Sequence, residues 1–452
     1  MDTAGLRELD RRHIWHPFTQ QQGWEEDEPP LVIESGDGTL LFDTDGNSYI
    51  DGVSSLWCTV HGHRTPELDE AVRDQLDRVA HTTMLGLSHP TAIELAGRLV
   101  GIAPDGLERV FYSDSGSTAV EIALKMAFQF HAQNGRSQRR RFIRMRDAYH
   151  GDTLGSVSVG GIDLFHETYR PLLFETLEAT PGDAEDLARL LDGNRDEVAA
   201  VIVEPLVQGA AGMLLAPEGF LRDARELCDE HGVLLIADEV ATGFGRTGRM
   251  FACEHEGVTP DLMCLAKGLT GGYLPLAATL TTEEVYAGFL GAHSDLRTFF
   301  HGHTYTGNPL ACAAAIANLE IFERDRTVER AARLGETLGS MLDEAVRPIP
   351  QVVDVRRLGL MCGIELGGFA AERRSGHLVT LAARSRGAII RPLGDVVVLM
   401  PPLGITEDEL GRLVAIVADS IRDACEPDAP ERLRAMLSGD RVGTGAPPPG
   451  NG

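Results

Sequence analysis

Short, uninterrupted apolar runs punctuate the middle of the chain: RVFY at 109–112, AAVIVE at 199–204, VLLIAD at 233–238 and DLMCLA at 261–266. Runs of this length, bounded by polar or turn residues, predict strands buried on both faces. Between the second and third lies PEGFLRDARELCDEHG, where Phe220, Ala224, Leu227 and Cys228 repeat at helical spacing. Pro217 stands near its start and Gly232 just past its end, so it predicts an amphipathic helix. Strand, helix and strand within about 40 residues form a βαβ unit, which requires a parallel sheet and a right-handed crossover. In such sheets ligands gather at the carboxyl ends of the strands, where Asp238 falls and Lys267 closely follows.

The flanks read differently. VIESGDGTLLFDTDGNSYIDG alternates and carries D-G turns, predicting a small antiparallel hairpin. After Asn308 come two helical stretches, then strand-like runs at VVDVRRLGLMCGIEL and GDVVVLMPPL. The expectation is a large α/β domain over residues 61–329 and a smaller one over 330–436, joined in space by an N-terminal segment, 1–60. The Gly/Pro-rich tail, 437–452, is expected to be disordered. RSQRRR at 136–141 reads as a solvated loop before a strand.

Composition narrows the classes. At 452 residues the length allows two or three domains. A hydrophobic content of 43% with 24% charged residues is that of a globular protein. The net charge of −27 argues against nucleic acid and anionic membranes as partners. No apolar run reaches the roughly 18 residues of a membrane span, and the first residues show no signal-peptide core. Seven scattered cysteines without a CxxC pair predict reduced thiols in a cytoplasmic protein.

The basic residues comprise 39 Arg and only two Lys, Lys125 and Lys267. Arginine cannot replace an amine that must lose its proton and attack a carbonyl, so each lysine is informative. Lys125 lies in a helical pattern and reads as a surface cation. Lys267 lies between a strand and a glycine-rich loop, where chemistry tends to sit. SDSGST at 113–118 opens the Lys125 helix with small residues, a helix start suited to a phosphate, although a plain N-cap explains it alone. Asp238, closing an apolar strand, requires a partner there. GFGRTG at 243–248 matches a dinucleotide fingerprint, but no amphipathic helix follows it, so a nicotinamide oxidoreductase is disfavoured. The HGH pairs, His61/His63 and His301/His303, lack a completing ligand set, and no metal is expected.

Together, a phosphate-type helix start, a strand-end Asp and a strand-end Lys 29 residues later are the parts a pyridoxal phosphate enzyme needs. The lysine bonds the cofactor, the carboxylate keeps its ring nitrogen protonated, and Tyr149 in AYHGDT is the candidate to cover the ring.

At these residues the sequence resembles the class III, fold-type I aminotransferases, over nearly the whole chain. VIVEPLVQGAAGM, LLIADEVATGFGRTG, LAKGLTGGYLP and GHTYTGNPLACAAA carry the likeness. HIWHPFTQ, SSLWCTVHGH, FYSDSGSTAVEIALKMA, AYHGDT and RPLGD narrow it to the biotin-biosynthetic members. The resemblance implies an α/β fold of type I, with a mainly parallel sheet in the large domain and a smaller α/β domain built from both chain ends. It implies pyridoxal 5'-phosphate as cofactor, a homodimer with shared active sites, and transamination of 8-amino-7-oxononanoate to 7,8-diaminononanoate. Lys267 would bond the cofactor and move the proton, Asp238 would pair with the ring nitrogen, and Tyr149 would stack on the ring. Gly116 and Ser117 would hold the phosphate, which Thr304, beside Gly302 and His303, would reach from the partner subunit. Arg391 would take the substrate's far carboxylate, with Arg246 and Asp152 near the same site. The donor implied by default is S-adenosylmethionine, around Phe18, Leu56 and Trp57. Members using it typically read HPY and SSWW, however, and this chain has Phe18 and Leu56, with Leu393 where RPF is common. The Phe18 form resembles a subgroup that uses L-lysine. A general ω-amino-acid or diamine aminotransferase is the main rival within the class, and a non-catalytic scaffold the rival outside it.

Overall fold

The computed structural model describes residues 2–26 and 30–438. Its centre is a seven-stranded sheet in the order 107–113, 277–282, 262–265, 234–238, 198–203, 141–145, 176–179. Every strand runs the same way except Ala277–Thr282, which is antiparallel to both neighbours. The sheet is mainly parallel, as the βαβ pattern predicts. Val198–Val203 and Leu234–Asp238 are buried at every position, because helices cover both faces. The predicted crossover helix is Phe220–His231, entered at Gly219 and closed by Gly232 in the left-handed conformation. Leu234 and Ile236 then pair in parallel with Ala200 and Ile202.

Two flanking sheets use the chain ends. The expected N-terminal hairpin is instead a three-stranded meander, Ile33–Asp37, Leu40–Asp43 and Ser48–Asp51. A distant fourth strand, Ala388–Ile389, lies parallel to the last of these. The other sheet pairs Val352–Leu358, Met361–Leu366, Val396–Leu399 and Arg391–Leu393. Helices Pro309–Arg324 and Thr327–Ala345 are the two stretches expected after Asn308. The basic loop is not fully solvated: Arg139 is buried and donates to the carbonyls of Val198 and His231, capping strand and helix ends. Residues 437 and 438 close a helix, Ala429–Ser438, and the rest of the expected tail lies outside the described residues. No helix among the described residues is long and apolar enough to cross a membrane.

Candidate active site

The carboxyl ends of the parallel strands open on one cavity of about 790 Å³. Ser113 ends one strand and leads into helix Gly116–Gln133. Met145 leads to Tyr149 and His150, Val203 to Glu204, Asp238 ends its own strand, and Leu265 leads to Lys267. Chain direction alone thus brings residues up to 154 positions apart to one wall.

Of the sequence candidates, Lys267, Asp238, Tyr149, Gly116, Ser117, Leu56, Trp57 and Asp152 line this cavity. Lys267 adopts a left-handed backbone (φ 42°) as it leaves the strand, and its Nζ lies 5.1 Å from the Trp57 ring centre. Its desolvated surroundings push the amine below its ordinary value; Arg246 acts the same way, and Asp238 and Glu204 oppose. Asp238 accepts from His150 Nδ1 at 2.7 Å and from the Val240 amide at 3.1 Å. Tyr149 donates to Asp152 at 2.8 Å, and its hydroxyl is held protonated by burial and by that carboxylate.

The helix start faces the same space. Ser115 caps it, bonding Thr118 reciprocally, which leaves the first amides of Gly116 and Ser117 without helical partners. A Cβ at Gly116 would fall 2.6 Å from Val240 Cγ1, so only glycine fits between the helix and the Asp238 segment. Gly151 (φ +112°) lets the AYHGDT segment cross Ser117, where a Cβ would approach to 2.5 Å.

Other candidates lie off the wall. Arg246 is buried behind it, donating to Ser54 Oγ and the carbonyls of Thr59 and Pro401. Arg391 is half-buried on its strand, near enough to Tyr149 to act on it electrostatically. Phe18 is exposed and packs on Phe165, 5.4 Å between ring centres. Gly302 and Thr304 are exposed, while His303 Nδ1 sits 2.9 Å from Asp114 on the cavity rim. His303 Nε2 contacts His301, whose other nitrogen lies 2.8 Å from Lys125, so one HGH pair is a link between loop and helix. In the other, His61 meets the Asn318 carbonyl and His63 meets Asp51. GFGRTG forms buried turns, followed by a short 3₁₀ segment, Ala252–His255, and no helix.

Sequence reasoning gave no role to His150 or Glu204. Glu204 accepts from the Tyr149 and Gly209 amides, and burial pushes its carboxyl up to about 7. For Glu204 the available signal was position, since it ends the run 199–204; His150 lies five residues past its strand and carried no such signal.

An amine facing a carboxylate, with a glycine-opened helix start opposite, suits a phosphorylated aldehyde with a ring nitrogen. Two ring nitrogens on the wall, Trp57 Nε1 and His150 Nε2, are buried without partners among the described residues, so polar capacity remains for such a group. The aminotransferase class-III profile matches residues 22–421, and the chain belongs to that family, whose cofactor is pyridoxal phosphate. It is 57% identical to the adenosylmethionine-8-amino-7-oxononanoate aminotransferase of Nitratidesulfovibrio vulgaris, across 93% of this chain and 82% of that one. The crystal structure of the Methanocaldococcus jannaschii protein of the same name superposes with a TM-score of 0.92 at 42% identity, covering 94% of this chain and all of the other. An amine transaminase from an uncultivated Pseudomonas species, in its PLP-bound form, gives 0.86 at 37% identity over 91% and 98%.

Proposed function

We propose that this chain transfers an amino group to 8-amino-7-oxononanoate, giving 7,8-diaminononanoate for biotin biosynthesis, with S-adenosylmethionine as donor. The carrying observation is the Lys267–Asp238 pair at the carboxyl edge of the sheet, in a chain 57% identical to a relative of that name. Pyridoxal phosphate, when bound, supplies an aldehyde for the donor's amine and a ring that accepts electrons. Lys267 would hold the cofactor through its amine and, when that amine is free and neutral, would take up and return a proton at Nζ. A lowered amine pKa suits this, since only the neutral form attacks or accepts. Asp238, steadied by His150, would hold the ring nitrogen protonated, and the Gly116 and Ser117 amides would hold the phosphate. Tyr149 covers the ring and is itself held by Asp152. Arg391 pairs with the far carboxylate.

A homodimer completes the site, with Thr304 of one protomer reaching the other's phosphate. Exposed Leu296, Phe300 and Tyr305 on the Thr304 loop support a contact there. Seven unpaired cysteines support a reducing, cytoplasmic setting.

A second reading keeps the reaction and changes the donor to L-lysine. Leu56, on the cavity wall, offers no indole surface, and Phe18 no phenol. The test is the donor half-reaction on cofactor-loaded protein, following the visible cofactor band with each donor alone, then adding 8-amino-7-oxononanoate. Band loss with S-adenosylmethionine and its return with the keto acid is the expected result. Band loss with lysine alone selects the second reading. Failure of the keto acid to restore the band refutes both and leaves a general amine aminotransferase.

A further inference from the structure

Phe18 does not line the cavity, yet it is connected to it through a residue outside the motifs. The Phe165 ring stands edge-on to Phe18 (5.4 Å between centres, 75°) and edge-on to Tyr149 (6.4 Å, 86°). Tyr149 is fixed at its far end by Asp152, so the three rings run from the N-terminal segment to the cavity wall.

The placement of Phe165 is built in. Gly161 donates to the Ala148 carbonyl at 2.7 Å, tying the Asp163–His166 turn to the residue before Tyr149. A Cβ at Gly160 would fall 2.3 Å from the His166 ring, so glycine lets that imidazole stay buried, while the adjacent Phe165 meets both Phe18 and Tyr149. Phe18 is held in a left-handed conformation (φ 50°), within a segment braced on Asp10 by His16 and Trp24. A left-handed phenylalanine is strained and persists only where its surroundings fix it.

We propose that Phe165 is a positioning residue for amino-donor selection: it transmits the seating of Phe18 to Tyr149 and so sets the width of the donor side of the cavity. The proposal rests on the aminotransferase reading of this site. It implies that Phe18 acts on specificity as one half of a pair rather than by touching the donor alone.

The experiment is a double-mutant cycle on holoenzyme with Phe18→Ala, Phe165→Ala and both, and with Phe165→Tyr as the conservative variant. The readouts are cofactor band per protein and the ratio of half-reaction rates for S-adenosylmethionine and L-lysine. Phe165→Ala is expected to keep the band and shift the ratio about tenfold, the scale of one aromatic pair. Phe18→Ala shifts it in the same direction, the double variant goes no further than the larger single effect, and Phe165→Tyr restores it. Equal slowing of both donors, or a double effect equal to the product of the singles, overturns the proposal. Wild-type protein that reacts with neither donor overturns the proposed function instead. The cycle is then read on the rate ratio of 2-aminopropane to 1-phenylethylamine, with the same two outcomes deciding.

Discussion

His150 Nδ1 stands 2.7 Å from Asp238 Oδ2, with both side chains almost wholly enclosed. Against a carboxylate that nitrogen carries the hydrogen, which fixes the ring as Nδ1-protonated when neutral. Without it, Asp238 keeps only the Val240 amide among its described donors. A buried acceptor that loses its partner costs about 1–3 kcal/mol. His150→Ala is therefore expected to slow the donor half-reaction by roughly 10- to 100-fold and to weaken cofactor retention on dialysis. His150→Asn, which still donates, recovers most of both.

Arg246 shares a desolvated region with Lys267 and disfavours its protonation. Removing the guanidinium raises the lysine pKa, so less of the amine is neutral at a given pH. The acid limb of the half-reaction's pH profile is expected to move to higher pH in Arg246→Leu and to stay in Arg246→Lys. A limb that moves equally in both variants assigns the effect to packing around Ser54 and Thr59 instead.

The Glu204 carboxyl, ordinarily near 4.5, is pushed up to about 7, chiefly by burial. The folded chain then binds more protons than the unfolded one between those values, so this group's stabilisation is complete below about pH 4.5 and is lost as pH rises through 7. At about 1.4 kcal/mol per pH unit the loss over that interval is about 3–4 kcal/mol. Glu204→Gln is expected to flatten urea-denaturation stability between pH 5 and 7 and to stabilise cofactor-free protein at pH 8.

Shared sites give a complementation test. Lys267→Ala and Thr304→Asp, each inactive alone, are expected to recover up to about a quarter of the wild-type activity when unfolded together in equal amounts and refolded, since half the dimers are then mixed. One site of each mixed dimer then holds both native residues. No recovery, with mixed dimers demonstrated by mass, places Thr304 in its own subunit's site.

What the sequence made legible was local. The runs ending at Asp238 and before Lys267 are buried throughout, and helix Phe220–His231 has its apolar stripe and a glycine on each side. What it hid depends on pairs far apart in the chain. His150 meets Asp238, 88 residues on, although 198–203 lies between their strands in the sheet. The meander's fourth strand comes from Ala388–Ile389, two residues too short to register as a strand. Arg139 looks solvated beside three other arginines until the fold shows the two carbonyls it caps.

The scarcity of lysine has a practical consequence. One amine lies at the cavity wall and the other, Lys125, is exposed on a helix, linked to the loop that carries Thr304. Amine-directed reagents therefore meet one accessible lysine side chain per chain. With Lys267 engaged by cofactor, Lys125 is the one side-chain amine left for a tether or fluorophore, beside the proposed subunit contact, and the α-amine is the other group such reagents meet.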